Sequence, residues 1–354
     1  MECGIALATA ADSWKIVRRA EELGYTHAWF FDTHLLNAEL FVAMGAAAVQ
    51  TRRIRLGTGV MIPSNRIAPV AASGLASLNR LAPGRIDFGI STGFTARRTM
   101  GLGPVKLADM EEYVRIVQAL LAGETTQWEF EGKRRKIAFM SAEAGVYNLA
   151  DPIPLYIAAA GPRARRLAAR LGANWIVVGR TVGHARSEIA AMQEAWRAHG
   201  HNPVERKVSA EIGGCILAED EPADSPRAKA QAGPTAMIAL HNWAEAEQFG
   251  SIFGPVPAAL APLVDAYTKI YRAYEPADAR YLVNHRGHLM FLRPEEVGLC
   301  TAELIKAGSF TGTRAELRER LQELRAAGCT EVSVQIRHGH PEMLEEWADL
   351  FAAV

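Results

Sequence analysis

The residues best placed to do chemistry fall in three short stretches. Asp32 and His34 close the apolar run His27-Ala28-Trp29-Phe30-Phe31. A carboxylate and an imidazole at a strand's end suit acid–base work near neutral pH; a capped turn with a hydrogen-bonded histidine would leave the same pattern. In Ala158-Ala159-Ala160-Gly161-Pro162-Arg163, a strand of small residues runs directly into a helix. Gly161 allows close backbone approach and Pro162 suits the first helical turn. The free N–H groups there, with the helix dipole, favour a phosphate, and Arg163, Arg165 and Arg166 are at hand to reinforce it unless they are solvated surface. In Gly57-Thr58-Gly59-Val60, two glycines within a strand indicate a bulge, close contact with a flat ligand, or a tightly packed wall.

Other combinations point away from common chemistries. No GxSxG elbow, GxxxxGK[ST] loop or GxGxxG spacing occurs. His285 and His288 stand three apart without the carboxylate or HExxH pattern of a metal site, so no metal is expected. His338 and His340 follow the last strand and face either a pocket or solvent, and Trp243, Phe249 and Phe253 either cover a pocket or pack a core. With few nucleophiles in view, a bound cofactor is the natural carrier of the hard chemistry.

These residues need a scaffold, and the hydrophobic pattern supplies one. Short apolar runs at 5–8, 27–31, 54–60, 86–91, 155–159, 175–178, about 207–217 and 331–336 read as eight strands. Helical periodicity falls between them: Asp12 or Ser13 to Gly24, 38–50, 68–81, about 107–122, 162–171, 184–199, and a segment from the capping box Thr313-Arg314-Ala315-Glu316 to Gly328. Alternation of this kind predicts an α/β chain folded as a TIM (β/α)8 barrel, an open doubly wound sheet being the alternative. The expected organisation is one barrel domain over 1–354 with insertions at about 92–152 and 219–298. The first insertion predicts a hairpin in which Trp128 and Phe130 face Ile137 and Phe139 across Gly132, and 250–280 reads as helical. In such a barrel the strands' C-terminal ends carry the site, which selects the three stretches above together with Ser91-Thr92-Gly93, Gly179-Arg180 and Arg337-His338.

Composition narrows the partners. Lys plus Arg and Asp plus Glu are equal at 39 each, so no net field draws the chain to nucleic acid or a membrane surface. No apolar run is long enough to span a bilayer, and no secretory leader is visible. The scattered Cys3, Cys215, Cys300 and Cys329 suggest reduced thiols and a cytoplasmic location.

Ordered along the chain, several segments resemble the bacterial luciferase-like superfamily. They are Ala20-Glu21-Glu22-Leu23-Gly24-Tyr25 into Trp29-Phe30-Phe31-Asp32, Ile54 to Val60, Leu81 to Arg85, Thr92 to Gly101, Glu112-Tyr113 to Glu124, Pro154 to Pro162, and Thr311-Gly312-Thr313. That family includes FMN-dependent monooxygenases and coenzyme F420-dependent oxidoreductases on a TIM barrel. The resemblance implies an isoalloxazine-type ring on Thr58, Gly59 and Val60, with a cis peptide at Gly59-Val60. Ser91, Thr92 and Gly93 would line the ring or ribityl chain, and Ala160, Gly161, Gly179 and Arg180 would hold the phosphate. The first expectation is a monooxygenase using reduced FMN and O2 on a small organic molecule, fed by a separate flavin reductase, with His34 and Asp32 as proton-handling groups. An F420-dependent hydride-transfer enzyme is the alternative, and a non-catalytic flavin-binding protein a third. A homodimer is implied by the family alone. Residues 219–298 match no member's pattern and are expected to select the substrate.

Overall fold

In the computed structural model, which describes residues 1–178 and 181–354, eight parallel strands close into a barrel. They are β1 (Glu2–Leu7), β2 (His27–Phe30), β3 (Arg55–Thr58), β4 (Ile86–Ile90), β5 (Leu155–Ala158), β6 (Asn174–Val178), β7 (Val208–Ile212) and β8 (Glu331–Ile336). Each strand pairs with its sequence neighbour, and β8 pairs with β1 in register Glu2 with Glu331 through Leu7 with Ile336. This is the TIM barrel expected from the alternation.

The strands read as apolar on one face because that face meets the helices. Ile5, Leu7, Ala28, Phe30, Leu56, Phe88, Ile157, Val177, Ala210, Ile212, Val332 and Val334 join the main buried cluster with the surrounding helices. Those helices include α1 (Trp14–Glu22), α2 (Leu40–Gln50), α3 (Ala68–Leu81), α4 (Leu107–Leu121), α5 (Pro162–Arg170) and α6 (Val182–Ala198). The alternate residues point inward, where Ala6, Trp29, Phe31, Tyr156 and Ile176 form a second, smaller cluster. Capping agrees with sequence at α10 (Arg314–Ala326), where Thr313 and Glu316 make the reciprocal capping box. Ser13 instead accepts from the Ala10 N–H at 2.8 Å and leaves α1 without a side-chain cap bond.

Three expectations are corrected. The third strand ends at Thr58, short of Val60; the Gly59–Val60 peptide beyond it is cis, as the resemblance implies. The seventh strand breaks at Gly213-Gly214, where a Cβ on Gly214 would lie 2.1 Å from the Phe310 carbonyl oxygen; the chain resumes as Ile216–Leu217, paired with Gly312–Thr313. In the hairpin Thr126–Phe130 and Lys133–Ile137, Trp128 lies opposite Arg135 and Phe130 opposite Lys133. Trp128 and Phe130 share a face and stack on each other at 4.6 Å, while Ile137 lies opposite Thr126.

Between Leu217 and Gly312 the chain forms α7 (Pro226–Ala244), α8 (Ala261–Arg272) and α9 (Ala302–Gly308) around a separate apolar cluster of Ala232, Ala236, Met237, Leu240, Tyr267 and Leu304. This helical layer crosses the C-terminal end of the barrel. Arg98, after β4, pairs with Glu245 at 3.2 Å, and the Thr95 hydroxyl lies 3.0 Å from His288 Nε2. On the opposite side Arg337, after β8, donates to the Gln231 carbonyl at 3.0 Å, the Thr235 hydroxyl at 2.7 Å and the Leu289 carbonyl. Leu289 packs on the inner cluster beside Val60 and Ala158.

Candidate functional site

The barrel's inner face sets what reaches its mouth. Gly57 and Gly59 serve the packed-wall reading: a Cβ on Gly57 would lie 2.3 Å from the Trp29 ring, and one on Gly59 2.8 Å from Trp29 Cβ. The glycines therefore admit the Trp29 ring across the barrel, where it meets Tyr156 edge-on at 5.0 Å. Thr58 is fully buried and spends its hydroxyl on Gly89, donating to the carbonyl at 2.7 Å and accepting from the N–H at 2.8 Å. Val60, beyond the cis peptide, packs against the inner cluster at the mouth. Ser91 donates to the Ala158 carbonyl at 2.9 Å, tying the β4 and β5 ends together, and Thr92 follows it half-buried. Gly93 has φ +86°.

Asp32 and His34 take separate partners. Both Asp32 carboxylate oxygens accept from Arg66 Nη1 at 2.9 Å, and one also accepts from the Ile62 N–H at 3.3 Å. Arg66 in turn pairs with Glu39. Asp32 thus pins the loop after β3 and makes no acid–base pair with His34. His34 Nε2 lies 3.1 Å from the Met100 sulfur, while its buried Nδ1 has no partner among the described residues. A thioether has no proton to give, so Nε2 carries the hydrogen and Nδ1 presents a lone pair.

At the phosphate stretch, Gly161 is the residue before α5, with φ +81°, no side-chain cap bond, and open space where a Cβ would stand. Ala160 beside it is exposed. Arg165 is committed to Glu188, whereas Arg163 and Arg166 are exposed. Gly179 and Arg180 lie outside the described residues.

The structure adds one group that sequence reasoning missed. Glu211 shares the inward face of β7 with Ser209, pairs in register with Val178 and Ser333, and has no hydrogen-bond partner among the described residues. Its remaining surface faces the barrel interior. Burial, with a smaller contribution from Glu331, raises its pKa from 4.5 to about 8. At neutral pH it is therefore a carboxylic acid able to donate. Its position in the alternation Val208-Ser209-Ala210-Glu211-Ile212 was the available signal: a lone charge on the inner face of a barrel strand. Arg337 lies beyond the end of β8, buried, and burial lowers its pKa to about 9.

The histidines of the helical layer are engaged within it. His285 pairs with Glu245 at 2.9 Å and His241 with Glu296 at 2.5 Å, inside the helical layer. Burial, then the neighbouring His285 and His241, holds the His288 pKa well below its usual value. His338 is exposed, and His340 pairs with Glu342 at 2.8 Å. Phe249 flanks the Arg98 guanidinium, and Trp243 packs on Phe253.

Small or apolar residues (Ala8, Val60, Ala158) pack at the inner end of the barrel mouth, and the open Gly161 precedes a helix. The luciferase-like monooxygenase family model matches residues 5–331, and the chain belongs to that family. It is a luciferase-like oxidoreductase. An F420-dependent glucose-6-phosphate dehydrogenase from Beutenbergia cavernae is 39% identical over 140 residues, 38% of this chain and 40% of that protein's length. A 5,10-methylenetetrahydromethanopterin reductase from Methanolobus tindarius is 27% identical over 318 residues, 88% of this chain and 86% of its own. The solved coenzyme F420-dependent tetrahydromethanopterin reductase from Methanopyrus kandleri superposes with a TM-score of 0.71 over 98% of this chain and 97% of its own, at 20% identity, a likeness of fold. No helix of the described residues is long and apolar enough to cross a membrane.

Proposed function

We propose that the chain is a coenzyme F420-dependent dehydrogenase or reductase acting on a small organic molecule. The observation that carries this reading is the pair of groups without side-chain partners among the described residues, the buried Nδ1 of His34 in the loop leaving the C-terminal end of β2 and the protonated Glu211 on the inner wall of β7. F420 when bound supplies a two-electron hydride acceptor or donor. Oxidation of an alcohol then needs a base for the hydroxyl proton, and His34 Nδ1 is that base; in the reverse direction the imidazolium returns the proton to the carbonyl oxygen. Glu211 donates a hydrogen bond to a substrate oxygen. Val60 and Ala158 would seat the ring, Ser91, Thr92 and Gly93 its chain, and Ala160 and Gly161 a phosphate. The F420-dependent relatives support the choice of cofactor.

A second reading is the reduced-FMN monooxygenase, using O2 and a separate flavin reductase. The apolar enclosure formed by Phe31, Ile176 and Leu289 favours it, because such chemistry requires water to be kept out. Anaerobic titrations with F420 and with FMNH2, followed by quenching of the Trp29 and Trp175 emission, separate the two. Saturable F420 binding with weak FMNH2 binding supports hydride transfer, and the reverse supports oxygenation. Binding of neither overturns the cofactor site.

A further inference from the structure

The other end of the barrel holds a group of side chains that the redox site does not use. Glu2 opens β1, His27 opens β2 and Glu331 opens β8, and their carboxylate oxygens and imidazole nitrogen all lie within 4.8 Å of one another. His27 and Glu331 are buried, at 1% and 0% exposure. Their facing atoms, His27 Nε2 and Glu331 Oε2, are 3.8 Å apart, and neither has a hydrogen-bond partner among the described residues.

The surrounding contacts fix what those two atoms present. Glu331 Oε1 accepts from Trp29 Nε1 at 2.7 Å and from the Ser333 hydroxyl at 2.6 Å, which orients the carboxylate and leaves Oε2 free. The Thr26 hydroxyl donates its only proton to the Cys3 carbonyl at 2.9 Å and lies 2.8 Å from His27 Nδ1. Nδ1 must then donate to Thr26, and neutral His27 turns a lone pair at Nε2 toward Glu331. Gly4 keeps the space open, since its Cβ would stand 3.0 Å from Glu331 Oε1 and 3.1 Å from His27 Cβ.

Two lone pairs facing each other inside a protein need a proton donor or a cation between them. A proton on Nε2 would draw a charge-assisted pair to about 2.7–2.9 Å, and 3.8 Å is beyond that. A cation about 2.1 Å from each atom spans such a gap without strain. From this geometry we infer that Glu2, His27 and Glu331 form a binding site for one divalent transition-metal ion at the closed end of the barrel. Two carboxylates and a neutral imidazole match a divalent charge, and nitrogen and oxygen donors without thiolate place Zn2+ above Mn2+. Lys207 now holds the Glu2 carboxylate at 2.9 Å, but its side chain is 42% exposed and can turn to solvent. Arg55 is occupied by Asp87 at 2.7 Å. The ion would tie the first, second and last strands together where the barrel closes, a stabilising role remote from the mouth.

The test uses the full chain after dialysis against a chelator, titrated with Zn2+ by calorimetry and with Co2+ by visible absorption. The expected result is one ion per chain, a higher melting temperature on Zn2+ addition, and loss of binding in His27→Gln and Glu331→Gln. Because those buried substitutions can disturb folding, Glu2→Gln supplies the control: its circular dichroism should match the parent while Zn2+ affinity falls by at least about tenfold. The inference is overturned if the parent takes up no Zn2+ at millimolar concentration, or if Glu2→Gln binds as tightly as the parent. It is equally overturned if 15N NMR at pH 7 with Zn2+ present shows both His27 nitrogens protonated.

Discussion

Replacing Glu211 with Gln removes a carboxyl that the fold holds in its protonated form. In the unfolded chain this group ionises near 4.5, whereas in the folded barrel burial holds its pKa at about 8. Between those two values the unfolded chain binds fewer protons than the folded one, so parent stability falls as pH rises through that window. At about 1.4 kcal/mol per pH unit, the full penalty is about 5 kcal/mol above pH 8, and less to the extent that water reaches the barrel mouth. Gln keeps the shape and the donor but does not titrate. Urea unfolding of both proteins from pH 4 to 9 should therefore give similar stabilities at the acid end. The Gln variant should then gain on the parent steadily up to about pH 8 and run parallel above it. If the two curves keep a constant separation over the whole range, Glu211 is solvated and its assignment as a neutral donor is wrong. In turnover, an alkaline limb near pH 8 in the parent should be absent from Glu211→Gln.

Other substitutions separate chemistry from scaffold. His34→Asn should cut kcat by about a hundredfold to ten-thousandfold, with unchanged urea stability, because the one side-chain hydrogen bond it loses is to Met100. Asp32→Ala should do the opposite, costing about 3 kcal/mol in urea unfolding by leaving the buried Arg66 with Glu39 alone; unchanged stability would return Asp32 to the catalytic list. Gly57→Ala should lower the melting temperature sharply, since its Cβ meets the Trp29 ring at 2.3 Å. Gly161→Ala meets open space and pays only for a backbone at φ +81° and ψ 161°, about 1–3 kcal/mol; equal losses at the two glycines would refute the packed-wall account.

The barrel was legible because each of its strands has one face committed to the helices and is bounded by glycine, proline or a capping residue. Thr313 and Glu316 announce a helix by their own hydrogen bonds, and the structure makes both. What sequence left open depends on contacts between residues far apart in the chain. Whether Gly57 and Gly59 admit a ligand or a ring is decided by Trp29 on the neighbouring strand. Asp32 looks like half of an acid–base pair until Arg66, 34 residues later, takes both its oxygens. Glu211 was passed over because a charge in a strand is ordinarily on the solvent side, and in a closed barrel the second face is interior. Residues 219–298 gave no pattern to read because their core is built against itself and against the barrel mouth, through pairs such as Arg98 with Glu245.

The barrel mouth is expected to bind F420 with His34 in reach of the reacting carbon's substituents. A crystal structure of the protein soaked with F420 tests it most directly. The deazaflavin ring should lie beside Val60 and Ala158 with space for a substrate oxygen at His34 Nδ1. Density for F420 anywhere other than the C-terminal mouth, or a mouth that takes FMN and refuses F420, would contradict the account.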